Sequence, residues 1–310
     1  MKTYVFEGVV TALSSLSHGG GESMGITSKL RREKFVQPNG KVEEVPIISG
    51  NAIRGILRDT GMAHMCACLG YGEDGAGLPL QAYYLLFSGG ALVKEGSGLD
   101  VEYARKLRNY IPLIGVFGGA IGNMIMPGKM KVGKLLPLCK ETNHLLPESK
   151  RGDYNSVWEF CQEEMYTRRD DEKNENIRGY IAESDRKLIA GDKSQKAELS
   201  KSESSQQMMY YVETISAGTR FYWKLVFEDL TDIEYDAVAT MLAQFSKAPY
   251  IGGKSAVGHG EIGMKMDNWM EIDSRVSPDA KEIDRPIGTK YQQHLESKRA
   301  EIQQILEGFG

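Results

Sequence analysis

Lys254 sits among five glycines in the fourteen residues Tyr250–Gly263, with Ser255 directly after it. Glycines such as Gly252 and Gly253 let the main chain reach positive φ and come close to a ligand. Exposed N–H groups beside an ammonium then make a site for phosphate. A tight turn into a strand has the same composition, so the run alone does not separate binding from packing. Upstream, Ser49-Gly50-Asn51-Ala52-Ile53-Arg54-Gly55-Ile56-Leu57-Arg58 again combines glycine with spaced basic residues. Arg54 and Arg58 are four apart and share one helix face, with Asn51 at its start. Lys29, Arg31, Arg32 and Lys34 form a basic cluster opposed by Glu33, and Arg105, Lys106 and Arg108 form another. Such clusters are often solvated surface, but here they accompany two glycine-bearing basic elements, and the chemistry they suit is holding phosphates.

Other chemistries fit less well. Gly252-Gly253-Lys254-Ser255 echoes a nucleotide-binding loop, but Ala248 stands where Gly-x-x-x-x-Gly-Lys-Ser/Thr needs its first glycine. The helix also precedes this loop and a strand follows it, the reverse of that motif's order. Cys66 and Cys68 lie near His64, but Cys139 and Cys161 are distant singles; a zinc site shows two spaced pairs, so no metal and no cofactor is expected. Four cysteines in 310 residues do not make a disulfide framework. His18, the hydroxyls of Ser14 to Ser17, and Lys29 could form an acid–base set for in-line cleavage through an RNA 2′-hydroxyl. A histidine beside serines is also an ordinary loop, and catalytic residues are not assigned.

The net charge of −4 gives no whole-domain basic footprint, so any nucleic-acid contact must come from local charge. Hydrophobic residues at 41% and charged residues at 26% fit a globular domain with a sizeable core. No apolar run nears the roughly 18 residues of a membrane span, and no membrane partner is expected. The opening Met1-Lys2-Thr3-Tyr4-Val5-Phe6 lacks a secretory apolar region, which points to a cytoplasmic protein.

The elements that must position these residues follow from periodicity. Tyr4 to Val10 alternates as a strand, with Tyr4, Phe6 and Gly8 on one face. Ser14 to Gly25 reads as a flexible serine- and glycine-rich loop. Asn51 to about Cys66 reads as a helix with Ile53, Ile56, Leu57 and Met65 as its apolar stripe, and its Gly55 and Gly61 predict close packing on another backbone. Leu78 to Phe87 fits a strand or a short helix, Ile111 to Ala120 ends in a glycine turn, and Lys129 to Leu138 reads as a strand. Phe221, Trp223, Leu225 and Phe227 face one side of a further strand, and Asp232 to Lys247 is an amphipathic helix. A last strand passes through Ile262, Met264 and Met266. Tyr291 to Leu306 is a charged amphipathic helix able to pack on a neighbour.

Between Lys140 and Gln207 the chain carries 27 charged residues in 68, against 26% overall. This marks an insertion, partly folded through Trp158, Phe160, Tyr166, Ile177, Tyr180, Ile181, Leu188 and Ile189, and able to order on a partner. The order strand, helix, strand, insertion, strand, helix, strand gives an α+β chain. It has a ferredoxin-like, RRM-like palm at 1–140 and 208–268, a charged thumb or finger insertion at 141–207, and a C-terminal extension with a helix at 269–310. Such a sheet is a common platform for single-stranded RNA.

The set of Ser49 to Arg58, Gly115-Val116-Phe117-Gly118, Val212-Glu213-Thr214-Ile215-Ser216-Ala217-Gly218-Thr219-Arg220-Phe221 and Tyr250 to Gly260, in that order, resembles the RAMP superfamily. More narrowly it is similar to the repeated backbone subunit of class 1 CRISPR effector complexes. The likeness covers the palm and leaves insertion and tail unmatched. It implies a filament of identical subunits along the spacer of a guide RNA, each holding backbone without reading sequence and leaving bases free to pair with a target nucleic acid. Other CRISPR effector subunits are the remaining partners implied. Arg54 and Arg58 would take successive phosphates, and Lys254 with the amides of Gly252, Gly253 and Ser255 another. Lys29, Arg31 and Arg32 would extend the track, with Asn51 beside it and His18 approaching a base or ribose. A thumb hairpin in the insertion would press between nucleotides, with Met208, Met209, Tyr210 and Tyr211 as its apolar wedge. Type III relatives cleave target RNA with an aspartate near Gly25-Ile26-Thr27-Ser28, but no aspartate occurs before Asp59. A non-cleaving subunit of a type I or type IV complex is therefore expected. The alternative is a RAMP-type endoribonuclease that processes guide precursors or cuts target RNA.

Overall fold

Strand β1 (Lys2–Ala12) is the axis of the main sheet. Tyr4, Phe6, Gly8, Val10 and Ala12 face inward in unbroken alternation, as the period of a strand covered on one face requires. It pairs antiparallel with β13 (Arg220–Leu230) on one side and β14 (Ile262–Ile272) on the other. The sheet continues to β10 (Leu136–Pro137) beyond β13 and to β15 (Lys281–Ile283) beyond β14. In β13 the buried set is Phe221, Trp223, Leu225, Phe227 and Leu230. The extra residue before Leu230 is absorbed by a bulge, where Asp229 takes φ 50° and the register with β1 shifts. The structure, a computed structural model, describes residues 2–24, 27–72, 75–91, 101–168, 208–273, 279–283 and 288–309.

Helices cover one face of this sheet. α1 (Gly50–Leu69) starts at Ser49, whose Oγ accepts the Ala52 N–H, and stops at Gly70, which takes the left-handed conformation at φ 84°. Ahead of α4 come α2 (Leu80–Tyr83), running on into a π-turn over Tyr84–Ser88, and α3 (Val101–Tyr110). α4 (Pro112–Phe117) is buried throughout and ends at Gly118, φ 70°. α5 (Asp232–Phe245) opens with a capping box, Thr231 and Glu234 satisfying each other's backbone N–H. A Cβ at Gly61 would lie 3.0 Å from Leu113 and 3.1 Å from Met241, so this glycine lets α1 sit against α4 and α5, though it meets their side chains. Gly55 has nothing within 4 Å, and its expected close packing is absent.

Several elements differ from the sequence expectation. Lys129 to Leu138 is two short strands, β9 (Met130–Val132) and β10, both paired to β13. Gly133 breaks the run because its backbone lies against the Lys224 carbonyl, 2.7 Å from where a Cβ would stand. The tail is two helices, α6 (Lys290–Ser297) and α7 (Arg299–Glu307), and it packs on its own palm rather than standing free for a neighbour. Tyr291, Leu295, Ile302 and Leu306 are buried in the main core, the Tyr291 N–H donates to Asp236 at 2.7 Å, and Arg299 donates to the Cys68 carbonyl at 2.7 Å.

The expected loop at Ser14 to Gly25 also contains a strand. β2 (Gly19–Met24) pairs with β3 (Thr27–Leu30), and β3 runs parallel to β12 (Met208–Ile215), which pairs with β11 (Cys161–Arg168). Tertiary pairing overrides the weak strand propensity of three consecutive glycines here. β4 (Arg32–Val36) and β5 (Val42–Pro46) form a separate hairpin. Its Phe35 and Val45 meet Cys139, Val157 and Phe160 in a satellite core. Three short strands, β6 (Gly90–Ala91), β7 (Gly119–Ile121) and β8 (Met124–Met126), make a small sheet beside α4. Of the charged insertion, 169–207 lies outside the described residues, including Ile177, Tyr180, Ile181, Leu188 and Ile189.

Candidate nucleic-acid interface

Two loops close on the end of β1 and the stretch that follows it. The Ala217-Gly218-Thr219 turn closes on β1, Gly218 N–H donating to the Ala12 carbonyl at 2.7 Å and Ala12 N–H to the Thr219 carbonyl at 2.9 Å. The glycine loop docks on the stretch that follows. Gly253 N–H donates to the Ser17 carbonyl at 2.7 Å, and Gly260 N–H to the Ser15 carbonyl at 3.0 Å. Gly252, at φ 81°, approaches so closely that a Cβ would stand 2.5 Å from the Ser17 oxygen. The glycines thus serve the approach of loop to strand, and the Gly253 amide is engaged within the protein. The positive charge the loop contributes is the Lys254 ammonium, carried on a residue that itself takes φ 64°. Ser255 is exposed directly beside it.

His259, which sequence reasoning passed over, holds the loop to β11 of the β11–β12 pair. It is 1% exposed. Its Nδ1 is hydrogen-bonded to Ser15 Oγ at 2.8 Å, and its Nε2 to the Tyr166 hydroxyl. Tyr166 donates to Glu164 at 3.1 Å, so Nε2–H is the donor to the tyrosine oxygen. Thr214 donates to the other Glu164 oxygen at 2.9 Å. Burial pushes the Glu164 carboxyl up, but hydrogen bonds led by those of Thr214 and Ser15 outweigh it and leave the group below the usual carboxylate range. A histidine in a glycine run carries no sequence signal for burial, which explains the omission.

The register of this pair sorts its side chains. Tyr166 pairs with Tyr210, and their rings stack at 5.4 Å with planes 15° apart. Lys254 Nζ lies 4.7 Å from the Tyr210 centroid and 5.8 Å from that of Tyr166, a cation–π position. Met209 and Tyr211 point to the opposite face, where Met165 and Met209 are both about half exposed. The expected wedge of four successive residues is therefore divided between two faces. Met208 lies at the start of β12, with its side chain outside the described residues.

The basic cluster is largely neutralised. Lys29 pairs with Glu163 at 3.0 Å, and Arg32 with Glu213 at 2.5 Å while lying over the Trp158 ring at 4.8 Å. Glu213 also accepts the Leu30 N–H at 2.9 Å. Arg31 is exposed, and its side chain has no hydrogen bond or ion pair among the described residues. Next to it, His18 Nε2 accepts the Ser49 N–H at 3.2 Å, fixing the residue that caps α1. Burial first, then the Arg31 guanidinium, holds the His18 imidazole below its usual value. Asn51 is exposed in the first turn of α1.

Arg54 and Arg58 do share a face of α1, and that face meets the end of α4. Arg54 donates to the Phe117 carbonyl, and Arg58 donates to the Gly118 carbonyl at 3.2 Å and lies over the Phe117 ring at 5.3 Å. Both satisfy carbonyls that a helix end leaves open. Arg58 is 7% exposed, and burial, then Arg54, pushes its guanidinium down to about 10. It is interior rather than on a surface track, while Arg54 stays half-buried. Among the described residues no cluster of His, Cys, Asp or Glu could hold a metal ion, and no helix is long and apolar enough to cross a membrane. Burial pushes the Cys66, Cys139 and Cys161 thiols up to about 11.

This arrangement of antiparallel palm, helical layer and second sheet has a solved counterpart. It is similar to a chain of a structure described as "Type IV-B CRISPR Complex". The TM-score is 0.55 at 24% identity, with 86% of this chain and 90% of that chain covered. At that identity the likeness shows the fold. No family model and no curated protein matches this sequence.

Proposed function

We propose that this chain is a backbone subunit of a class 1 CRISPR effector complex, of type I or type IV. It assembles in the cytoplasm with copies of itself along the spacer of a guide RNA, holds RNA backbone without reading sequence, and leaves the bases free to pair with a target. Holding phosphates while leaving base edges open is the division of labour that guide-directed recognition needs. The observation that carries the reading is the Lys254 ammonium, presented without an acidic partner among the described residues where the glycine loop docks beside β1. Arg31, which is exposed, is a second cation nearby, and the fold likeness to a chain of a type IV-B complex supports a role in an assembly of that kind. Arg54 is a further candidate contact, whereas Arg58 is a strut for α4.

The subunit is proposed to lack nuclease activity. Support comes from the absence of any aspartate before Asp59 and from His18, whose Nε2 is engaged in fixing Ser49. Size-exclusion chromatography with single-stranded RNAs of increasing length tests the assembly. Oligomers that grow with RNA length are expected, and a monomer at every length would overturn the proposal. Incubation with repeat RNA and with guide-complementary RNA tests the absence of catalysis; specific cuts abolished by His18→Ala would replace the binding role with an endoribonuclease.

A further inference from the structure

We propose that Tyr210, backed by Tyr166, is a stacking platform for one nucleobase, so that a single nucleotide is gripped by phosphate at Lys254 and by base on the ring. The inference rests on the RNA-binding reading above and assigns the side chain that would add base contact to it.

Three features of the geometry point there. The two tyrosines are cross-strand partners, and their near-parallel rings stack, Tyr166 against Tyr210, where the β11–β12 pair meets the glycine loop. Tyr210 is half-buried, so part of its surface remains open to solvent. The surface is also held in place before any ligand arrives, because the Tyr166 hydroxyl is fixed between Glu164 and the fully buried His259. A preordered aromatic surface loses little freedom on binding.

The cation is the second feature. Lys29, Arg32 and Lys129 all have carboxylate partners, at 3.0, 2.5 and 2.6 Å, whereas among the described residues Lys254 rests against aromatic rings and no carboxylate. An ammonium on a tyrosine face is held weakly compared with one on a phosphate, so a passing phosphodiester can draw it off the ring. Stacking on an aromatic face is tolerant of sequence, since every base has a π surface. This satisfies the requirement that the guide be held without being read. The third feature is the divided register: Met165 and Met209 occupy the other face, so Tyr210 acts beside the palm and not with those methionines.

The test uses the full chain and two probes, a single-stranded RNA with 2-aminopurine in place of adenine, and inorganic polyphosphate as a charged ligand with no bases. Tyr210→Leu keeps an apolar side chain beneath Lys254 but removes the π face, Tyr210→Phe keeps the face, and Lys254→Ala removes the charge. Tyr210→Leu is expected to weaken RNA binding roughly ten-fold and to abolish the quenching of 2-aminopurine. It should leave polyphosphate binding unchanged, and Tyr210→Phe should behave as the parent protein. Lys254→Ala should weaken both probes. Equal loss of both probes in Tyr210→Leu would show that the ring only positions the ammonium, and unchanged RNA binding with quenching intact would remove it from the site; either result overturns the platform. A parent protein that binds neither probe would instead overturn the RNA-binding reading.

Discussion

Ser15 Oγ lies 2.8 Å from His259 Nδ1, a hydrogen bond that joins the exit of the first strand to a loop 244 residues later. Through the other ring nitrogen the same histidine reaches Tyr166, so strand exit, glycine loop and β11 are held by one buried side chain.

His259→Ala should therefore destabilise the protein by about 2–3 kcal/mol, the cost of leaving buried polar partners unsatisfied. Urea unfolding of the variant and the parent checks this. A change under about 0.5 kcal/mol would mean that the cluster contributes little to holding the loops together.

Lys254 stands in the left-handed region, where glycine is at ease and a lysine is not. Lys254→Gly should keep the melting temperature or raise it, with relief of up to about 1 kcal/mol. The same change should weaken RNA binding and lower the dependence of log K on log salt by about one phosphate contact. Loss for one spacer sequence and not for another would contradict a backbone contact.

Arg58→Ala should cost about 2–4 kcal/mol by opening the Gly118 carbonyl and emptying a buried site. Arg58→Lys should recover only part, since an ammonium cannot reproduce the planar fork. The readout is the midpoint of chemical denaturation. Neutral behaviour of Arg58→Ala would be inconsistent with a strut.

Acid should weaken the fold in two windows. His18 and His64 are held below their usual values, His18 by burial and then Arg31, His64 by burial and then Lys247. For a lowered histidine the unfolded chain takes up protons first, so its stabilisation is complete above the unfolded value near 6.5 and is lost as pH falls below it. Glu141 is the second case. Burial pushes its carboxyl up, yet hydrogen bonds from Ser156 and Val157 outweigh this and leave it low. Its contribution is complete above the ordinary carboxylate value and is lost at more acidic pH. Denaturation midpoints between pH 8 and about pH 5 should decline in the parent and decline less in His18→Gln.

Local pattern carried much of the architecture. The alternation in β1 and β13 survives in the sequence because one face of each is buried, and Ser49 and Thr231 mark helix starts through hydroxyls that bond the first free N–H groups. Gly252, Lys254 and the Ala217-Gly218-Thr219 turn were legible for a related reason. Positive φ and close backbone approach select glycine wherever they occur. What pattern could not give was the partner. Lys29 and Arg32 look like free cations until Glu163 and Glu213 are brought to them from more than 130 residues away.

The sequence by itself determined the α+β layering, the principal strands and helices, and the presence of a glycine loop with one lysine at its bend. Local propensity and apolar period act over a few residues and leave their mark in order. Only the tertiary structure decided that Gly19–Met24 is a strand, that the tail folds back onto its own palm, and that Arg58 is interior while Arg31 is exposed. It also placed Lys254 over Tyr210 and buried His259 between three segments. Each of these depends on which distant surfaces meet, and a charge or a ring carries the same letter whether it is paired, buried or free.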